Sequence, residues 1–214
     1  MNKKLIAGII VLSIISIGIG EMIVEHDTWN LIHGTIVSTL CLSCIKLDPV
    51  SRLEFVFETG NGENHPEFIL ENLTTGIVFL EYRSDVCKAC DDMAPIIKEI
   101  FNLKFEKEET LYEKIDYQTH HDETIVHFYH INLDHATQEQ FNSFYIYDKD
   151  QVSGVPMFVV LTVNYDRGTI KPCYTYAYGT LGKETYDERK EMVLSLIEDG
   201  LNLYELNSEG YQYP

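Results

Sequence analysis

Apolar and charged side chains alternate over Leu53–Glu58, the period-two pattern of a half-buried strand. Thr59–Pro66, rich in Gly, Asn and Glu, reads as a turn. Glu67–Leu73 reads as a short helix with Phe68, Ile69 and Leu73 inward. Gly76–Tyr82 is apolar apart from Glu81, as a strand covered on both faces requires. Over Asp91–Lys104 the period changes, with Met93, Ile96, Ile97, Ile100 and Phe101 at helical spacing. Glu106–Glu123 is charged and polar and reads as an exposed insertion, partly helical. A strand over Thr124–Leu133, a helix over Gln138–Tyr147 and a strand over Met157–Val163 follow. After a turn at Asn164–Gly168, Thr169–Tyr178 is a further strand. Glu184–Asp199 closes as a helix, with Met192, Val193, Leu196 and Ile197 inward. Strands alternating with helices, then two consecutive strands and a last helix, predict an α/β fold with a central mixed β-sheet flanked by helices.

The first fifty residues follow a different pattern. Lys3 and Lys4 precede Leu5–Gly20, sixteen residues without charge. Continued to Val24, a helix there would be about 30 Å long, roughly one hydrocarbon core. Residues 1–24 are therefore expected to form a single transmembrane anchor. The two lysines favour keeping its start in the cytoplasm, with everything downstream outside. A cleaved signal peptide is the alternative, with Gly18-Ile19-Gly20 as its small-residue site and a secreted product. Asn72-Leu73-Thr74 is a glycosylation acceptor triplet and agrees with an outside location. Residues 25–50 form a connector. Its apolar stretch, Thr28–Leu47, is broken by Asn30, His33 and Gly34, which makes a second span costly. An interfacial or domain-packing helix with Trp29 near the head groups is preferred, and a compact arm beside the main domain is the other reading.

Composition narrows the function. A chain of 214 residues, 45% apolar and 12% aromatic, has enough material for one proper core. Its 34 acidic and 16 basic residues give a net charge of −18, which argues against binding nucleic acid. The acidity selects no particular substrate.

The chemistry lies in Cys87-Lys88-Ala89-Cys90, at the junction of the Gly76–Tyr82 strand and a helix. Two cysteines three apart are also half a zinc site. In this context, with Gly154-Val155-Pro156 at the mouth of a later strand, they point to thiol–disulfide exchange. The thiolate is the attacking species, and a helix N-terminus favours negative charge. Lys88 adds to that effect, while Asp85, Asp91 and Asp92 oppose it. Cys87 is the expected nucleophile, and Cys90, one turn further in, would resolve the mixed disulfide.

These joints resemble the thioredoxin family over roughly residues 53–200. The CxxC opens a helix, with Pro95 five residues beyond Cys90. Asn132-Leu133-Asp134 ends the next strand, Gly154-Val155-Pro156 matches the segment whose proline is cis, and Gly179 follows the final strand. The resemblance implies a thioredoxin-like domain over 51–205, followed by a Tyr-rich tail over 206–214. It implies a protein-disulfide oxidoreductase that acts on protein cysteines and is reset by a separate redox partner, with no organic cofactor and no metal. It further implies that Val155, beside a cis Pro156, offers its backbone to an extended substrate. Glu81, six residues before Cys87, stands where thioredoxins often carry a buried Asp that assists proton transfer to the inner cysteine. His130 stands where a Lys is frequent, and a packed core histidine is its ordinary reading. Val86 replaces the usual Trp, and Lys88-Ala89 replaces Gly-Pro. The inner dipeptide tunes potentials that span about 150 mV in this fold, so exchange is implied in either direction.

Two rival readings stay open: a non-catalytic thioredoxin-fold binding module with a static disulfide, and a metal-handling protein using both CxxC pairs. Of the five cysteines, Cys41 and Cys44 form the second pair. A structural or inert disulfide is favoured for them. A redox relay to Cys87 and Cys90, or a metal site with His26 and His33, are the alternatives. Cys173 reads as a small buried hydrophobe, and His120 and His121 as solvent-facing.

Overall fold

The computed structural model of the chain describes residues 51–118 and 123–213. The expected anchor over residues 1–24, the connector with Cys41 and Cys44, and His120 and His121 lie outside the described residues. Among the described residues, no helix is long and apolar enough to cross a membrane.

The strands are β1 (Ser51–Val56), β2 (Gly76–Arg83), β3 (Leu111–Gln118), β4 (Glu123–Asn132), β5 (Met157–Asp166) and β6 (Thr169–Tyr178). The helices are α1 (Glu67–Asn72), α2 (Lys88–Phe101), α3 (Gln138–Tyr147) and α4 (Tyr186–Asn207), followed by a 3₁₀ turn at Ser208–Gly210. All six strands join one mixed sheet in the order β1-β6-β5-β2-β4-β3. β2 and β4 run parallel, and the other neighbours are antiparallel. β5 and β6 close on Arg167-Gly168, both at positive φ, the two-residue turn whose twist matches a hairpin.

Side-chain alternation along β2 assigns the helices to the two faces. Phe79 packs edge-on against Phe101 of α2 at 5.1 Å, and Arg83 pairs with Asp91 of α2 at 2.9 Å. Tyr82 points the other way, with Phe144 of α3 at 5.5 Å and Ser143 Oγ at 2.8 Å. α4 shares the α2 side, where its Gly200 packs on Val160. α1 shares the α3 side, where Phe68 meets Tyr129 at 5.1 Å. Every residue of β2 is buried, as its unbroken apolar run requires.

Three boundaries depart from the sequence pattern. The Glu106–Glu123 segment is not a partly helical insertion, because Leu111–Gln118 is the edge strand β3 on β4. Only Leu111, Ile115 and Tyr117 are half-buried there, and the charged remainder faces solvent. Charges on an exposed edge disfavour pairing with another chain, and they mask the strand period. The first helix of the CxxC unit starts at Lys88 and stops at Phe101, since Asn102 turns left-handed at φ 51°. The last helix continues past Asp199 to Asn207. Gly200, which looks like a stop signal, serves close packing instead: a Cβ there would sit 2.6 Å from Val160 Cγ1. Thr162 donates to the Gly200 carbonyl at 2.8 Å.

His127, which is buried, and His65, which is half-buried, make the domain acid-sensitive. His127 lies between Thr75 Oγ1 at 2.8 Å and Tyr112 Oη at 2.9 Å. His65 stacks on Tyr147, whose hydroxyl is 3.1 Å from Nδ1. Burial lowers each pKa from 6.5 to about 4, with Lys114 adding to the effect at His127. Through that window the unfolded chain binds more protons than the folded one, so stability rises with pH. The contribution is complete above about pH 6.5 and is lost as pH falls towards about 4. Denaturant midpoints should drop across this window, and the drop should shrink in His127→Asn. A midpoint independent of pH there would contradict the uncharged placement of both rings.

Candidate active site

β2 ends at Arg83, and the loop Ser84–Val86 carries the chain to Cys87, the N-cap of α2. The Asn132-Leu133-Asp134 segment pins this loop. The Asn132 amide donates to Asp85 Oδ1 at 2.8 Å and to the Lys107 carbonyl at 2.7 Å. The Asp85 N–H donates to Asp134 Oδ2 at 2.8 Å, and Leu133 N–H donates to the Arg83 carbonyl at 2.9 Å. Asn132 and then His135 hold the Asp85 carboxyl below the usual range, so its charge is engaged within this cluster.

Cys87 and Cys90 form a disulfide, with Cα atoms 5.3 Å apart. Cys87 Sγ accepts the Cys90 N–H at 3.1 Å, taking one of the unpaired donors of the first helical turn. Cys87 is partly exposed and Cys90 is fully buried. Only the outer sulfur is therefore open to attack. Lys88 projects into solvent and pairs with Asp92 at 3.6 Å. Val86, beside the motif, is 94% exposed, an apolar residue offered to solvent at the rim of the site.

The Gly154-Val155-Pro156 segment reaches the same place. The Val155–Pro156 bond is cis. The Val155 carbonyl lies 3.3 Å from Cys87 Sγ. A disulfide sulfur carries no proton, so this is a contact in the oxidised form and an S–H···O bond in the thiol form. The loop leading there holds Gln151 and Ser153 at positive φ, a conformation that costs about 1–2 kcal/mol per residue. Asp148 offsets that cost. Its buried carboxylate accepts from Val152 N–H at 2.9 Å, Ser153 N–H at 2.8 Å and Tyr178 Oη at 2.5 Å. Gly179 N–H then donates to the Pro156 carbonyl at 2.8 Å.

Beneath α2 lies a buried acid–base pair. Glu81 shares a sheet face with Phe79 and Arg83, the two residues that contact α2. Cys90 follows the same buried helix stripe as Phe101, at the end where Asp91 meets Arg83. Glu81 Oε2 and His130 Nδ1 are 2.8 Å apart, and both side chains are fully buried. Glu81 Oε1 and His130 Nε2 have no hydrogen-bond partner among the described residues. Phe105 covers the His130 ring at 4.0 Å. A buried polar atom left unpaired costs about 1–3 kcal/mol, so this pair is a poor choice for packing alone.

The expected site residues Cys87, Cys90, Val155 and Pro156 thus meet at one end of the sheet, with Glu81 below them. Arg83 and Asp148 were not legible in the sequence. Arg83, fully enclosed, brings a permanent cation to the N-terminal turn of α2, and only the Phe79, Glu81, Arg83 alternation hints at it. Cys173 is buried on β6, and burial pushes its thiol well above the ordinary range, which makes it a packing residue. The Asn72 amide nitrogen donates to the Phe68 carbonyl at 2.8 Å and to Tyr129 Oη at 2.6 Å. Both its hydrogens are engaged in the folded domain. No group of three or more metal-ligating side chains occurs among the described residues. Compared with known proteins, the chain matches no family model and no curated protein.

Proposed function

We propose that this chain is a thioredoxin-like thiol–disulfide oxidoreductase that acts on protein cysteines by dithiol–disulfide exchange. The observation that carries this reading is the asymmetric pair: a disulfide whose outer sulfur is accessible at a helix N-terminus while its inner sulfur is sealed. A mixed α/β sheet covered on both faces is compatible with the thioredoxin-like fold. In the proposed cycle the Cys87 thiolate attacks a substrate disulfide, releasing one substrate thiolate and forming a mixed disulfide. Cys90 then attacks Cys87 Sγ, frees the second substrate thiol and regenerates the internal disulfide. A separate dithiol partner resets the pair. The Val155 backbone docks the extended substrate, and Val86 contributes an apolar rim. The Leu5–Val24 segment, if retained, tethers this activity outside the cytoplasmic membrane.

Reduction of a disulfide-bonded test protein by dithiothreitol, with and without the full chain, tests the reading. Acceleration is expected, and a rate equal to dithiothreitol alone would favour a non-catalytic binding module. Glu81 is assigned to proton exchange with Cys90. Glu81→Gln should lower turnover by about tenfold or more while leaving the rate at which Cys87 captures a substrate unchanged. Unchanged turnover would reduce Glu81 to a structural partner of His130.

A further inference from the structure

Asp148 is the C-cap of α3 and is buried. A helix C-terminus carries negative partial charge, so capping does not account for an acid there. The adjacent ammonium, Lys149 Nζ, turns instead to the Glu58 carbonyl at 3.1 Å. A buried carboxylate is stable only where hydrogen bonds replace its water, and Asp148 finds them in the loop that follows. Oδ1 accepts from Val152 N–H at 2.9 Å and from the Tyr178 hydroxyl, while Oδ2 accepts from Ser153 N–H at 2.8 Å. The Asp148 carbonyl also accepts from Gln151 N–H at 3.1 Å. One residue thus fixes three successive N–H groups, over the stretch where Gln151 and Ser153 sit at φ 54° and 52°. Val155 follows directly after Gly154. On its far side, the Pro156 carbonyl accepts from Gly179 N–H at 2.8 Å, next to the Tyr178 that Asp148 engages. Val155 is therefore held from both sides, and between the two anchors its carbonyl lies 3.3 Å from Cys87 Sγ.

Resting on the oxidoreductase reading, we propose that Asp148 is a positioning residue that makes the site prefer extended polypeptide over small disulfides. An extended segment adds to the Val155 backbone as a strand adds to a sheet edge, and main-chain hydrogen bonds tolerate little displacement. The position of Val155 relative to the Cys87 sulfur therefore decides whether a polypeptide can dock and present its own sulfur at once. A small disulfide has no backbone to dock and meets only Cys87 Sγ. The sulfur exchange is the same in both cases, with Cys87 attacking and Cys90 resolving. Asp148 touches neither the sulfurs nor the substrate and acts through Val155. Loosening its hold weakens the polypeptide's ground state and transition state alike, which raises KM and leaves kcat in place.

Asp148→Asn is the least invasive test. An amide keeps one accepting oxygen, and with that oxygen serving Val152 and Tyr178 its nitrogen confronts Ser153 N–H, donor against donor. The full chain, wild type and variant, is assayed with dithiothreitol as reductant on two substrates. One is bis(2-hydroxyethyl) disulfide; the other is a linear peptide whose single cysteine carries 2-mercaptoethanol as a mixed disulfide. In Asp148→Asn the peptide KM should rise by about tenfold or more with kcat within about twofold, and kcat/KM for the small disulfide should stay within about twofold. An unchanged peptide KM overturns the assignment. So does an equal loss on both substrates, which marks a general effect on the fold. Ser153→Val gives a second route that leaves Asp148 intact. Ser153 is exposed, and a β-branched side chain resists its φ of 52°, so the same split is expected and an unchanged peptide KM overturns the assignment. In Asp148→Asn the Ser153 N–H should also exchange with solvent about tenfold or more faster, and protection equal to the wild type contradicts the anchor. Wild type no faster than dithiothreitol alone on either substrate removes the oxidoreductase reading itself. Wild-type turnover with an unchanged KM in the variants removes only the role of Asp148.

Discussion

Cys87→Ser should lower turnover of a disulfide-bonded test protein by about 10³-fold or more, to the rate of dithiothreitol alone. A serine hydroxyl supplies no anion comparable to a thiolate at neutral pH. No other described sulfur can substitute, since Cys90 and Cys173 are both fully buried. Loss of the disulfide itself is a small term. Closing so short a loop stabilises the fold by about 2 kcal/mol in the chain-entropy picture. Cys90→Ser loses the same bond and the same stabilisation, so comparing the two variants separates chemistry from stability. Both should melt alike, and only Cys87→Ser should lose the ability to capture a substrate. Equal turnover in Cys87→Ser and wild type would remove the enzyme reading outright.

The second large effect concerns the strand that delivers the motif. Gly76→Ala should destabilise the domain by about 3 kcal/mol, equivalent to roughly 6–12 °C in Tm. A Cβ at Gly76 would lie 2.1 Å from the Ile125 carbonyl oxygen and 2.9 Å from Ile125 Cβ on the parallel neighbour β4. The obstacle is backbone, which no side-chain rotation relieves, so β2 and β4 must separate locally. Gly62 is the control, because its φ of +76° strains an alanine while nothing lies within 4 Å of the added carbon. Gly62→Ala should cost only about 1 kcal/mol. Chemical denaturation of the two variants checks the contrast, and equal losses would contradict the close approach of β2 to β4.

The parts of this molecule legible in the sequence are those whose signals are local. The period change between Gly76–Tyr82 and Met93–Phe101 marks a buried strand followed by a helix, and the CxxC sits between them. Glu81 is found only through the thioredoxin resemblance, which implies an acid at that offset from Cys87, and the structure places it fully buried. β3 is hidden because an edge strand carries its charges outward and covers only three residues, so composition outweighs period. Gly200 reads as a terminator because only tertiary packing on Val160 reveals why a helix keeps it. Asp148 and Arg83 escape for a related reason. Asp148 acts through Tyr178 and two N–H groups of a left-handed loop, and Arg83 through Asp91. Those partners are chosen by the fold, and no spacing rule connects them.

The account rests on Cys87 Sγ being the atom that meets substrate sulfur while Cys90 waits behind it. The most direct measurement is mass spectrometric mapping of the adduct formed when full-length Cys90→Ser is mixed with a disulfide-bonded test protein. A covalent complex linked through Cys87, dissolved by excess dithiothreitol and missing from the Cys87→Ser, Cys90→Ser double variant, is the expected result. No complex, or one joined through any other cysteine, would contradict it.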